Sequence, residues 1–131
     1  MKQYTKVYKV VRPDLSSAAV KGRASVQYGI GLEARPPAWL GTPLTAFDNL
    51  ADARRFCIGH GLYQPGIRIL EADAVESLAR PEFLVYCDLQ HGIKTHGFGF
   101  DWPLGTVFCD VIIPRREVNV RPNSIPGFAD I

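Results

Sequence analysis

No run of this sequence approaches the eighteen or so apolar residues that cross a bilayer as a helix, so the chain offers no candidate membrane span. A cysteine framework is also lacking. Cys57, Cys87 and Cys109 are odd in number, widely spaced and set in apolar runs, the pattern of reduced core thiols. There is no excess of one charge either: fifteen Lys and Arg against thirteen Asp and Glu give a formal net charge of +2. That is far from the basic surplus with which proteins grip duplex DNA by its phosphates, so DNA is not an expected partner. A Gly-rich phosphate loop, a Gly-x-Ser-x-Gly elbow and a His-Glu-x-x-His helix are all missing. Nothing repeats, and no segment is of low complexity. The opening Met-Lys-Gln-Tyr-Thr-Lys is polar, without the apolar run of a signal peptide. The expected location is the cytoplasm, and reduced thiols suit it.

What remains is an ordinary globular composition. Of 131 residues, 47% are apolar and 21% charged. A chain of this length buries roughly two-thirds of its unfolded surface around one core. Residues 1–120 are expected to form a single domain and 121–131, with Pro122, Pro126 and Gly127, an irregular tail.

Residues 4–12 are rich in β-branched and aromatic side chains and end at Pro13-Asp14, which predicts a first strand. Val26, Tyr28 and Ile30 alternate, which predicts a second strand over 25–32. Residues 44–47 read as a short strand feeding a helix that Asp48 would cap and Gly59 would stop, with Leu50, Ala53, Phe56 and Cys57 on its apolar stripe. Further strands are expected over 66–72, 83–89 and 106–113, with 118–120 as an extension. A short second helix is expected over 72–79, and a shaped loop or bulged hairpin over 92–105. The predicted fold class is α+β, a mainly antiparallel sheet with one principal helix packed on one face.

The densest chemical cluster is Cys87-Asp88-Leu89-Gln90-His91-Gly92-Ile93-Lys94-Thr95-His96, whose ligand types zinc accepts. The string has neither a paired Cys nor a helical His-x3-His, and it reads better as a core thiol beside loop imidazoles. No metal or cofactor is expected. All three thiols sit in apolar runs, and the carboxylates beside Cys87 and Cys109 would raise their pKa, which speaks against a nucleophile. Binding residues are easier to nominate. Arg offers a planar, permanently charged fork for phosphate, and an aromatic ring offers a face for a base. The candidates are Arg12, Arg23, Arg115 and Arg116 for charge and Tyr28, Trp39 and Trp102 for stacking. Each also has an ordinary role available, a strand end, a solvated edge or a core plug.

Tyr8-Lys9-Val10-Val11-Arg12, then Ser16-Ser17, Tyr28, Phe47-Asp48 with Ala53 and Phe56, and finally Trp102-Pro103-Leu104-Gly105-Thr106-Val107 form a pattern spanning most of the chain. In this the sequence resembles small bacteriophage-encoded anti-defence proteins, and among them the Thoeris anti-defence sponge that sequesters a cyclic ADP-ribose signal. The resemblance implies a non-catalytic binding protein for a small nucleotide, assembled as a homo-oligomer; the apolar Ile125, Phe128 and Ile131 give a separate reason to expect self-association. Two other classes compete. One is an ADP-ribosyltransferase-like enzyme using NAD, for which Glu117 is the carboxylate in a comparable late position. The other is an inhibitor that binds a host protein through a sheet edge or through Arg35-Pro36-Pro37-Ala38-Trp39.

Overall fold

In the computed structural model the described residues are 3–17, 26–37, 43–59, 66–78, 83–88, 92–97 and 104–120; for the fourth and fifth strands and the last two helical residues the description is of the backbone alone. The elements run β1 (Thr5–Val11), β2 (Leu44–Phe47), α1 (Leu50–Gly59), β3 (Arg68–Glu76), β4 (Phe83–Asp88), β5 (Gly92–Gly97) and β6 (Thr106–Val118). The fold is α+β, with antiparallel strands and one helix among the described residues.

The main sheet does not stay open. Its strands follow the order β1-β2-β6-β3 and close into a barrel, every pairing antiparallel. β3 is the centre of this arrangement. It pairs with β1 along seven positions, from Thr5 opposite Ala74 to Val11 opposite Arg68, and on its other side with β6 from Val118 to Cys109. The closing seam between β1 and β2 is short, with Tyr8 opposite Phe47 as its one registered pair. β4 and β5 form a separate hairpin in which Cys87 pairs with Ile93 and His96 with Leu84.

Alternation along the strands sorts the side chains into two cores. Val7, Val11, Leu44, Ala46, Leu70, Ala72, Ala74, Cys109 and Ile112 fill the barrel interior. Their neighbours Val10, Phe47 and Ile69 point outward, where α1 covers them with Ala53 and Cys57. The Phe47 and Phe56 rings meet at 5.1 Å between centroids and fix the helix on this outer face.

Several sequence expectations are corrected. Residues 26–32 form no ladder strand. Gln27 makes an isolated bridge to Ser16, and the chain then turns, with Leu32 N donating to Gly29 O at 3.0 Å and Gly31 at φ 79°. A positive φ comes cheaply to glycine, and two glycines in three residues favour the turn over the ladder. The segment still pairs with the barrel: Ala34 and Ile112 exchange backbone bonds of 2.8 and 3.0 Å, which occupies the edge of β6 beyond β2. Residues 72–76 belong to β3 and not to a helix, because strands pair with them on both sides. Residues 92–97 are β5, and β6 runs on to Val118. The helix cap is Asn49 and not Asp48. Asn49 Oδ1 accepts from Asp52 N at 2.8 Å and its Nδ2 donates to Asp52 Oδ2 at 2.7 Å, a reciprocal cap in which Asp52 also meets the positive end of the helix dipole. The expected tail at 121–131 lies outside the described residues.

Candidate functional site

β6 carries Pro114-Arg115-Arg116 in mid-strand. Proline has no N–H to give to a ladder and is tolerated in a sheet at irregularities. The register shifts here: Glu71 faces Arg116 but the next residue, Ala72, faces Pro114, so Arg115 is the extra residue of a β-bulge. Consecutive residues of a regular strand point to opposite faces, but the bulge brings both guanidinium groups to one. Arg116 Nε donates to Glu71 Oε2 in a very short bond, and Arg115 Nε donates to Asp73 Oδ2 at 2.8 Å. Glu71 and Asp73 stand two residues apart on β3, on the face away from the barrel interior.

Glu71 organises the cluster. Its side chain is only 11% exposed, and it accepts from Arg116, from Lys6 Nζ at 3.4 Å and, weakly, from Tyr8 Oη at 3.5 Å. The Arg116 hydrogen bond holds the Glu71 carboxyl below its ordinary range against the opposing effect of burial, and Lys6 adds to the lowering. Arg116 in turn is held above its ordinary value by Glu71. The arginines themselves stand out in solvent, 67% exposed for Arg116 and 52% for Arg115. Both meet the carboxylates through Nε, and their terminal Nη donors carry no bond to another described residue. Tyr8, Glu71 and Arg116 lie in one row across β1, β3 and β6. The result is a pair of guanidinium forks, anchored from behind and presented outward, with Lys6 beside them and a half-buried tyrosine ring in the same row. Such forks match phosphate oxygens two at a time.

The other nominated residues fall elsewhere. Tyr28 is in the barrel core, 3% exposed, with no hydrogen-bond partner for its hydroxyl. Burial pushes its phenol up against a smaller opposing effect of Ser17, whose Oγ accepts from Val26 N at 3.0 Å. The Tyr28 ring lies under the ammonium of Lys9, 5.5 Å from Nζ to the ring centroid. Lys9 is a lysine inside the barrel, 8% exposed, and its Nζ donates to Thr45 O at 2.6 Å across the short β1–β2 seam. Burial lowers its pKa to about 8. Arg12 is half-buried just past the end of β1, four residues beyond Tyr8 and so about 13 Å along the strand direction from that row. Arg23, Trp39 and Trp102 lie outside the described residues, as do the side chains of Cys87 and His96 and the whole of His91.

The sequence had nominated Arg115 and Arg116, and these two the fold brings together. Sequence reading does not assign Lys6, Tyr8, Glu71 or Asp73 to this site, although the Pro-Arg-Arg string inside a strand pattern is a signal for a bulge. Among the described residues no group of three or more His, Cys, Asp or Glu is placed to hold a metal ion. Burial pushes the Cys57 thiol up to about 11 and that of Cys109 up to about 12, the latter against the partial counter-effect of Lys9. Glu117 is gripped at both oxygens by Arg68, at 3.0 and 2.5 Å, and Arg68 holds its carboxyl below the ordinary range. No helix among the described residues is long and apolar enough to cross a membrane. No protein-family model, curated protein or solved structure matches the chain.

Proposed function

We propose that this protein is a non-catalytic binding protein for a small, phosphate-bearing nucleotide, and that it serves a bacteriophage by sequestering a cyclic nucleotide signal in the host cytoplasm. The observation that carries the reading is the bulge at Arg115–Arg116, which turns two neighbouring guanidinium groups onto one face with their outer donors directed to solvent. A carboxylate-anchored fork is preorganised, so less side-chain entropy is lost when an anion docks. Binding is favoured over turnover because Glu71, Asp73 and Glu117 are engaged by Arg and the two described thiols are held protonated, leaving none of them poised as base or nucleophile. The phage setting rests on the sequence resemblance alone.

Calorimetry with a panel of mono-, di- and cyclic nucleotides, including cyclic ADP-ribose isomers, is the direct test. Saturable binding that weakens with salt, and is lost when Arg115 and Arg116 are both replaced by Ala, supports the reading; heat from none of the panel ends it. Native mass spectrometry of the purified protein reports in one spectrum any retained nucleotide and the expected homo-oligomer. Incubation with labelled NAD separates the enzymatic rival, since consumption of NAD requires turnover.

A second reading, a protein-binding inhibitor, is favoured by Ile30 and Leu32, which stand 53% and 67% exposed on the turn leading to Arg35-Pro36-Pro37. Stoichiometric capture of one host protein, abolished by replacing Ile30 and Leu32 with Ser, would support it.

A further inference from the structure

We infer that the bulge site takes two phosphates set one nucleoside apart, as in a dinucleotide, in preference to a single phosphate or a pyrophosphate; this rests on the nucleotide-binding reading above. Glu71 and Asp73 are same-face neighbours on β3, and two residues of a strand span about 6.7 Å. Each carboxylate holds one guanidinium by its Nε, so the anchors of Arg116 and Arg115 are separated by that distance and their outer forks address different points. The two phosphorus atoms of a pyrophosphate share a bridging oxygen and are too close together to give each fork its own phosphate. Phosphates on the two sides of a ribose are separated by the sugar and match two forks that stand apart.

The charges agree with this assignment. Lys6, Arg115 and Arg116 against Glu71 and Asp73 leave the cluster one positive charge in excess, and each arginine keeps its two terminal Nη groups unbonded to any other described residue. On this account Glu71 and Asp73 are positioning residues: they touch no ligand but set where the forks stand.

The test compares 5′-phosphorylated diadenylate (pApA), AMP, ADP and inorganic phosphate by calorimetry across a salt series. The expected result is that pApA binds at least tenfold tighter than AMP or ADP. Its affinity should fall more steeply with added salt than that of AMP, because more charge is paired in the complex. Asp73→Asn, which replaces the charged anchor of Arg115 with a neutral one, should reduce the pApA-to-AMP ratio toward one; a residue that mattered only to folding would weaken both ligands together and leave that ratio unchanged. Equal affinity for pApA, ADP and AMP overturns the two-phosphate assignment and leaves the nucleotide reading standing. A ratio unchanged in Asp73→Asn overturns the positioning role and with it the spacing argument. Binding of none of the four removes both this inference and the reading beneath it.

Discussion

Lys9 is an ammonium enclosed in a barrel of aliphatic side chains, and its effect on stability has a definite sign. Its folded pKa of about 8 lies below its ordinary 10.5. Between those values the unfolded chain binds the extra proton, so stability rises with pH through that window, by about 3 kcal/mol in all at 1.36 kcal/mol per tenfold. The opposite holds for the thiols. Cys57 at about 11 and Cys109 at about 12 are raised above 9, so the folded state retains protons that the unfolded state has lost, and stability falls as pH climbs past 9. Tyr28, also raised, adds to the fall above its ordinary 10. Thermal unfolding against pH should therefore show a maximum near pH 9. In Lys9→Met the climb from pH 8 should vanish and the decline above 9 persist; a variant that keeps the climb would show that Lys9 is not its source. The reciprocal cap gives a second residue-scale expectation. Asn49→Ala should cost about 1 kcal/mol, read as a lower denaturant midpoint with an unchanged slope.

At the scale of elements, cross-strand pairs join β3 and β6: Glu71 with Arg116 and Asp73 with Arg115 on the outer face, and, separately, the β3 residue Arg68 with Glu117 on β6. Glu71 and Glu117 have folded pKa values below their ordinary 4.5. Their contribution is present above pH 4.5 and is lost as pH falls through the lowered values. Acid titration of stability should accordingly be shallower in Glu71→Gln, in which the carboxylate that binds Arg116 and Lys6 no longer titrates; an unchanged acid limb would show that the pair does not contribute. Because Arg116 is largely solvated, the effect belongs to the modest range of exposed ion pairs. The turn into β6 relies on Gly105 at φ 85°, where an added Cβ would meet Asp52 Oδ2 at 2.5 Å and so disturb the cap as well as the turn.

At the scale of the whole molecule, stability depends on barrel closure. Leu70 is fully buried on β3, the strand paired with both β1 and β6. Leu70→Ala should cost about 2–5 kcal/mol in equilibrium unfolding, a cost set by how far the surrounding side chains collapse into the space. The sequence by itself determined β1 and β2, the helix with its apolar stripe and its stop near Gly59, most of β3, β4 and β6, and the α+β class, because these follow from side-chain periodicity and local turn chemistry. It also nominated Arg115 and Arg116. Tertiary structure alone decided the rest. Residues 26–32 alternate like a strand, yet glycine turn geometry and the need to cover the edge of β6 prevailed. Residues 72–76 look helical in isolation, but pairing on both flanks makes them strand. Tyr28 and Lys9 meet inside the barrel because closure brings β1 and the 26–28 segment onto the same interior, a contact between positions far apart in sequence. The two forks share a face through a one-residue register shift, which depends on how β6 pairs with β3 and not on β6 alone.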